Sequence, residues 1–285
     1  MTAGEAPPAA RSDPFPSADG IPLHHLSWPV AAPRAGLLVV HGLGEHAGRY
    51  AALARDLAPR GVAVHAFDLR GHGRSGGPRA HAPSFDALVH DLDRFRAEAA
   101  ARLPAGLPLF LLGHSLGGLV ALRWLQSEPA PALRGAVLSA PLLGVKLRAP
   151  RWKVAAAGVL SRWLPALPLA SGIDPDTLTH DAAYVRSYRE DPLVHARVTP
   201  RLYTEFMAAI PRALAEPERV RLPVLVLVPG ADAIVDAEAV RAFARRLAGD
   251  VTVREYPGFY HESLNEVDRH RVVIDLLEWM EARLG

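Results

Sequence analysis

Short apolar runs alternate along the chain with longer stretches whose apolar residues recur every three or four positions. Six runs stand out: Gly36–His41 (GLLVVH), Val62–Asp68 (VAVHAFD), Leu107–Leu112 (LPLFLL), Gly135–Ala140 (GAVLSA), Pro223–Val228 (PVLVLV) and Val251–Tyr256 (VTVREY). Most are nearly continuous in apolar residues, the pattern of strands buried on both faces of a parallel sheet. Between them lie helical patterns. Arg49–Arg60 carries Tyr50, Leu53 and Leu57 on one face. Ser84–Leu103 carries Phe85, Leu88, Val89, Leu92 and Phe95, with Ser84 placed to cap it. Ser115–Gln126, Asp236–Leu247 and Glu266–Leu284 complete the set. Strands alternating with helices predict βαβ units and a mostly parallel sheet flanked by helices.

The alternation stops between about Gly144 and Glu216, where helical pieces are separated by prolines and no strand-like run occurs. An insertion between two strands of one sheet explains this, because loops at one end of a sheet can grow without disturbing its core. The expected organisation is a core of residues 21–143 and 217–285 with a helical cap, residues 144–216, over the active site. Residues 1–20, rich in Pro, Ala and small polar residues, read as a flexible lead-in without the apolar run of a signal peptide. No uninterrupted apolar stretch is long enough to cross a bilayer, and no internal repeat is visible.

Composition narrows the chemistry. There is no cysteine, which removes disulfides, thiolate metal sites and cysteine nucleophiles. A formal net charge of +2 with no basic stripe gives no reason to expect nucleic acid. An apolar fraction of 49% over 285 residues can build a large core unaided.

Gly113-His114-Ser115-Leu116-Gly117 follows one apolar run and opens a helical pattern. That is the strand–turn–helix context of the G-x-S-x-G nucleophile elbow, a strained turn that only small flanking residues permit. A serine needs a base. Of the 13 histidines, His261 is the best placed, in a loop after the last run and before the last helix. His25, His65 and His90 sit inside strand or helix patterns and read as structural or surface residues; His114 is expected to pack behind the serine. The base needs an acid to fix its tautomer. Asp232 directly follows PVLVLV; Asp236 competes, and reads instead as the N-cap of the next helix. The order Ser, Asp, His is that of the α/β-hydrolase fold. Donors for the oxyanion are expected from the backbone N–H of Leu116 and, in His41-Gly42-Leu43-Gly44, of Leu43. Asp68–Ser75 (DLRGHGRS) reads as a tight loop that holds the histidine–glycine loop.

Taken together, His41–Tyr50 (HGLGEHAGRY), Asp68–Ser75, Gly113–Gly118 (GHSLGG) and Tyr256–Glu266 (YPGFYHESLNE) resemble the monoacylglycerol lipases and their lysophospholipase-like bacterial relatives, over roughly residues 35 to 284. The resemblance implies a serine hydrolase of the α/β-hydrolase fold, with Ser115 as nucleophile, Asp232 as acid, His261 as base, and Leu43 and Leu116 in the oxyanion hole. Within the cap, only Asp191-Pro192-Leu193-Val194-His195 looks like a phrase of the same family. The expected reaction is two-step acyl transfer needing no metal or organic cofactor, on a small lipid ester such as a monoacylglycerol. A lysophospholipid or short-chain ester is the alternative; a non-catalytic binding scaffold is disfavoured because every catalytic part is present.

Gly144–Ala170 mixes apolar residues (Trp152, Val154, Val159, Trp163 and Leu164 among them) with Lys146, Arg148, Arg151, Lys153 and Arg162, and holds no acid. An apolar helix with a basic rim suits transient contact with a membrane surface; the plainer account is a face packed on the core. The expectation is a cytoplasmic protein peripheral to membrane.

Overall fold

The structure, a computed structural model, describes residues 9–127, 133–146 and 150–284. Its elements in chain order are β1 (Arg11–Pro16), β2 (Pro22–Trp28), β3 (Ala35–Val40), α1 (Ala51–Leu57), β4 (Val62–Phe67), α2 (Phe85–Ala101), β5 (Leu109–His114), α3 (Leu116–Ser127) and β6 (Leu133–Ser139). Then follow α4 (Arg151–Trp163), β7 (Leu169–Ala170), α5 (Ala182–Glu190), β8 (Arg197–Val198), α6 (Pro200–Ala215), β9 (Val224–Pro229), α7 (Ala237–Ala244), β10 (Val251–Tyr256) and α8 (Arg269–Glu281). Eight strands form one sheet in the order β1-β2-β4-β3-β5-β6-β9-β10. From β4 to β10 every pairing is parallel, whereas β1 and β2 are antiparallel additions at one edge. This is the α/β-hydrolase fold.

The central strands are fully buried because both faces are covered. One face carries Leu38, Val40, Phe67, Leu111, Leu138 and Val226 against α2, α3 and α7. The alternate residues Leu37, Val39, Val64, Phe110, Leu112 and Val137 meet α1 and α8 on the other. Each side chain in these strands therefore has an apolar neighbour whichever way it points, which is why the runs show no alternation. Ser84 caps α2 by accepting from Ala87 N, and Asp236 caps α7 by accepting from Glu238 N.

The flexible lead-in over residues 1–20 needs correction. Residues 1–8 lie outside the described residues, but Arg11–Pro16 is a strand, paired from Arg11↔Ser27 to Pro16↔Pro22. Phe15 anchors it against Phe67 and Phe95. An edge strand tolerates Pro14 and Pro16, and a single buried side chain leaves no readable period. The adjacent β2 was hidden differently. Its inward positions alternate Leu23, His25 and Ser27, and His25 is buried through a stack and a 3.0 Å hydrogen bond with His65 rather than by apolarity.

Between β6 and β9 the chain leaves the sheet and forms α4, α5 and α6 over the C-terminal ends of the strands. Its two-residue strands β7 and β8 pair antiparallel, where the sequence suggested none; two residues are too short to carry an alternation. Val145 and Val235 form an isolated bridge where the segment departs. Leu147 and Arg148 lie outside the described residues, as do the side chains of Arg151 and Lys153.

Candidate active site

Ser115 stands between β5 and α3 with φ +52°, a left-handed conformation unusual for a residue with a Cβ. The turn holds because its neighbours have no side chains. A Cβ on Gly113 would lie 2.5 Å from the Gly117 carbonyl oxygen, and one on Gly117 would lie 2.2 Å from that of Val40. Ser115 N–H donates to Ser139 O, while its carbonyl accepts from Leu119 and Leu142 N–H, at 3.0 to 3.1 Å. Both arms of the elbow are thus tied down.

Asp232 lies in the loop after β9, fully buried. Its Oδ1 accepts from the N–H groups of Ile234 (2.8 Å) and Val235 (3.0 Å), and its Oδ2 lies 2.7 Å from His261 Nδ1. Burial alone would raise its pKa, but the imidazole partner and the two amides outweigh burial and hold the carboxyl below its ordinary value. An ionised carboxylate only accepts, so Nδ1 carries the imidazole proton and Nε2 is left with its lone pair. For His261, burial pushes the pKa down, yet Asp232 prevails and the net shift is upward. His114 packs against it, ring centroids 4.8 Å apart, and burial, reinforced by His261, lowers its pKa to about 3, so it stays neutral.

Leu43 and Leu116, the two expected amide donors, line a cavity of about 340 Å³ together with Ser115. Leu142, Val198, Tyr203, Phe206 and Ile234 make its wall largely apolar. Gly42 N–H is turned away from this space and donates to Glu45 Oε1, so Leu43 is the residue that this loop presents to the cavity. Asp68 secures the loop from behind, accepting from Ala47 and Arg74 N–H, while Leu69 N–H donates to His41 Nε2. The supporting role expected for the Asp68–Ser75 loop follows from these bonds.

Four buried charged residues around the site were given no role by sequence reasoning. Glu45 and Arg49 hold the His41–Gly44 loop, and Glu262 and Glu266 hold the loop of His261. Glu266 gathers the N–H groups of Tyr260 and His180 and the His180 ring, fastening that loop to the cap. The i,i+4 spacing of Glu45 and Arg49 was a usable signal for their ion pair; the pairings across more than 80 residues were not. The Asp191–His195 phrase also has a place. Asp191 Oδ2 lies 2.8 Å from His46 Nε2, and His195 N–H donates to Gly44 O, which locks the cap onto the His41–Gly44 loop. Among the described residues, no group of three or more His, Cys, Asp or Glu side chains is disposed to hold a metal ion.

The sequence model of the serine aminopeptidase S33 family matches residues 31–268. The chain belongs to this family of α/β-hydrolases. Within it, the chain is similar to the monoacylglycerol lipase of Mycolicibacterium smegmatis, 33% identical over 95% of this chain and 96% of that one. It is also 32% identical to phospholipase YtpA of Bacillus subtilis, over 86% of this chain and 95% of the relative. A solved structure, the monoacylglycerol lipase of Paleococcus ferrophilus, superposes with a TM-score of 0.83 at 36% identity, covering 92% of this chain and 99% of the other. One relative is much longer: the chain spans 27% of an uncharacterized abhydrolase domain-containing protein of Dictyostelium discoideum. Family and fold make this family member a hydrolase acting on carboxylic esters.

Proposed function

We propose that this hydrolase cleaves monoacylglycerols to fatty acid and glycerol through an acyl-enzyme on Ser115. The observation that carries the reading is the largely apolar cavity lined by Ser115, together with the His261 imidazole oriented by Asp232. Ser115 Oγ attacks the ester carbonyl carbon while His261 Nε2 takes its proton. The imidazolium so formed is stabilised by Asp232. The N–H groups of Leu43 and Leu116 receive the oxyanion, each such donor being worth about 10²–10³ in rate. The carbonyl reforms, and glycerol leaves with the proton from His261. Water then attacks the acyl-enzyme by the same route.

An apolar wall suits one acyl chain. The family's namesake peptidase activity would call for a carboxylate to hold a free amino terminus, and among the described residues lining the cavity none bears one. A second reading, lysophospholipase activity, is favoured by the likeness to phospholipase YtpA. The cap is read as resting on lipid: Val159, Trp163 and Leu164 are 62%, 73% and 53% exposed, beside the exposed Arg162. The decisive experiment compares glycerol monooleate, lysophosphatidylcholine and p-nitrophenyl butyrate, with Ser115→Ala as control. Highest kcat/KM on the monooleate supports the first reading; preference for lysophosphatidylcholine moves it to the second.

A further inference from the structure

One buried cation joins three parts of the molecule that the proposed chemistry needs in register. The Arg49 side chain is 6% exposed. Its Nε lies 3.3 Å from Glu45 Oε2, and its Nη2 donates to Glu262 Oε2 at 2.6 Å. Glu45 uses its other oxygen, Oε1, to accept from Gly42 N–H and from the Tyr50 hydroxyl. It therefore fixes the His41–Gly42 peptide, one before the peptide that carries the Leu43 N–H. Glu262 follows His261 in the chain, and it also accepts from Asn265 Nδ2. The third contact comes from the cap. Tyr184 and Tyr188 of α5 place their rings 4.6 and 4.5 Å from the guanidinium carbon, within the range of a desolvated cation–π contact.

We propose that Arg49 is a positioning residue for ester hydrolysis, its guanidinium holding the oxyanion loop and the histidine loop in register while the cap tyrosines cover it. The proposal rests on the acyl-enzyme reading above. Arginine suits this place because a planar fork can reach two carboxylates at once and still offer its faces to aromatic rings; an ammonium, a compact point charge, has no such faces. Misplacement of a reacting group by about 1 Å costs about 10²-fold in rate, so the effect belongs in kcat rather than in KM.

A purely structural role would not move the titration of His261. The charged groups around that imidazole are Asp232, Glu262 and Glu45, which favour its protonated form, with neutral His114 against its ring. Tyr184 and Tyr188, facing Arg49 from α5, are kept neutral by burial, which pushes both pKa values up. Arg49 is the cation that opposes Glu45 and Glu262. Without it, the acid limb of kcat/KM moves to higher pH; without Glu262, it moves to lower pH.

The test uses the full chain and its variants Arg49→Met, Arg49→Lys, Glu262→Gln and Ser115→Ala. Each is checked for folding by circular dichroism and assayed on p-nitrophenyl butyrate across pH. Arg49→Met should lose about 30- to 100-fold in kcat with KM little changed, and its acid limb should move up. Arg49→Lys, which keeps the charge, should return the limb to its wild-type position but leave kcat depressed. Glu262→Gln should move the limb down. Wild-type kcat in Arg49→Lys overturns the proposal, and so does an unmoved limb in folded Arg49→Met. If Arg49→Met does not fold, Arg49→Lys and Glu262→Gln decide alone, and an unmoved limb in Glu262→Gln overturns it. Retention of activity by Ser115→Ala would instead sink the acyl-enzyme reading itself.

Discussion

Asp232→Asn separates two tasks of one carboxylate. Its Oδ1 accepts from two amide N–H groups, and its Oδ2 accepts a hydrogen bond from His261 Nδ1–H. An asparagine oxygen can keep the first pair of bonds. Its NH₂ then faces Nδ1 and can only donate, which forces the imidazole proton onto Nε2. The base now points a proton where it should point a lone pair. Conversion of a triad acid to its amide has cost about 10⁴-fold in kcat elsewhere, or about 5 kcal/mol of transition-state stabilisation. Because the buried amides stay paired, the loss of folding stability should be near one ordinary hydrogen bond, about 1 kcal/mol, or about 2–4 °C in Tm for a domain this large. The assay is steady-state hydrolysis of a soluble ester near neutral pH, with fluorophosphonate labelling as a second readout and Asp236→Asn as comparison. Asp236→Asn keeps the helix cap, because an asparagine oxygen also accepts from Glu238 N–H, so stability and kcat should both be little changed. If Asp232→Asn keeps more than about a tenth of wild-type kcat, or Asp236→Asn is the dead variant, the tautomer argument is wrong.

The rate should fall on the acid side as His261 takes a proton. Since its pKa is raised above 6.5, the midpoint of the acid limb of kcat/KM should lie above that value; a midpoint below it contradicts the Asp232 pairing. Asp68 should make an acid-sensitive contribution to stability. Burial opposes its charge, but His24, His41 and two amides prevail and hold its pKa at about 2 against an ordinary 3.8. A depressed carboxyl stabilises the fold above the unfolded value and loses that contribution as pH falls from about 4 to about 2, here about 2–3 kcal/mol. Urea unfolding of Asp68→Asn should show a deficit of that size near neutral pH that shrinks across the window; a deficit independent of pH contradicts it. For the cap, Val159→Ser with Trp163→Ser should weaken binding to anionic vesicles about a hundredfold or more, from roughly 1.5–3 kcal/mol of lost burial per side chain. Activity on monomeric ester should be unaffected, and equal wild-type rates on monomeric and dispersed ester would refute lipid contact.

The parallel strands were legible because burial on both faces leaves an uninterrupted apolar run. The elbow was legible because its strain demands glycines at fixed offsets. Asp232 could be told from Asp236 because a residue that heads a helical pattern is already occupied as a cap, and the Asp236 side chain does accept from Glu238 N–H. What escaped was stabilised by partners distant in sequence. β2 is concealed because His25 is accommodated by His65, 40 residues on. Arg49 and Glu262 are 213 residues apart, so neither carries a local period, and their charges would pass for solvated surface in any window. β1 hangs on Phe15 alone, and no pattern survives with one member.

The contact of the Asp191–His195 turn with the His41–Gly44 loop has a mechanical corollary. A roof nailed along one eave can lift only at the other. Gly44 meets the His195 backbone so closely that an added Cβ would sit 2.5 Å from its carbonyl oxygen, and the His46–Asp191 pair clasps the same margin. Any widening of the entrance that keeps these contacts, and the Glu266–His180 tie, would involve the flank that carries α4 and leave the margin beside Leu43 in place.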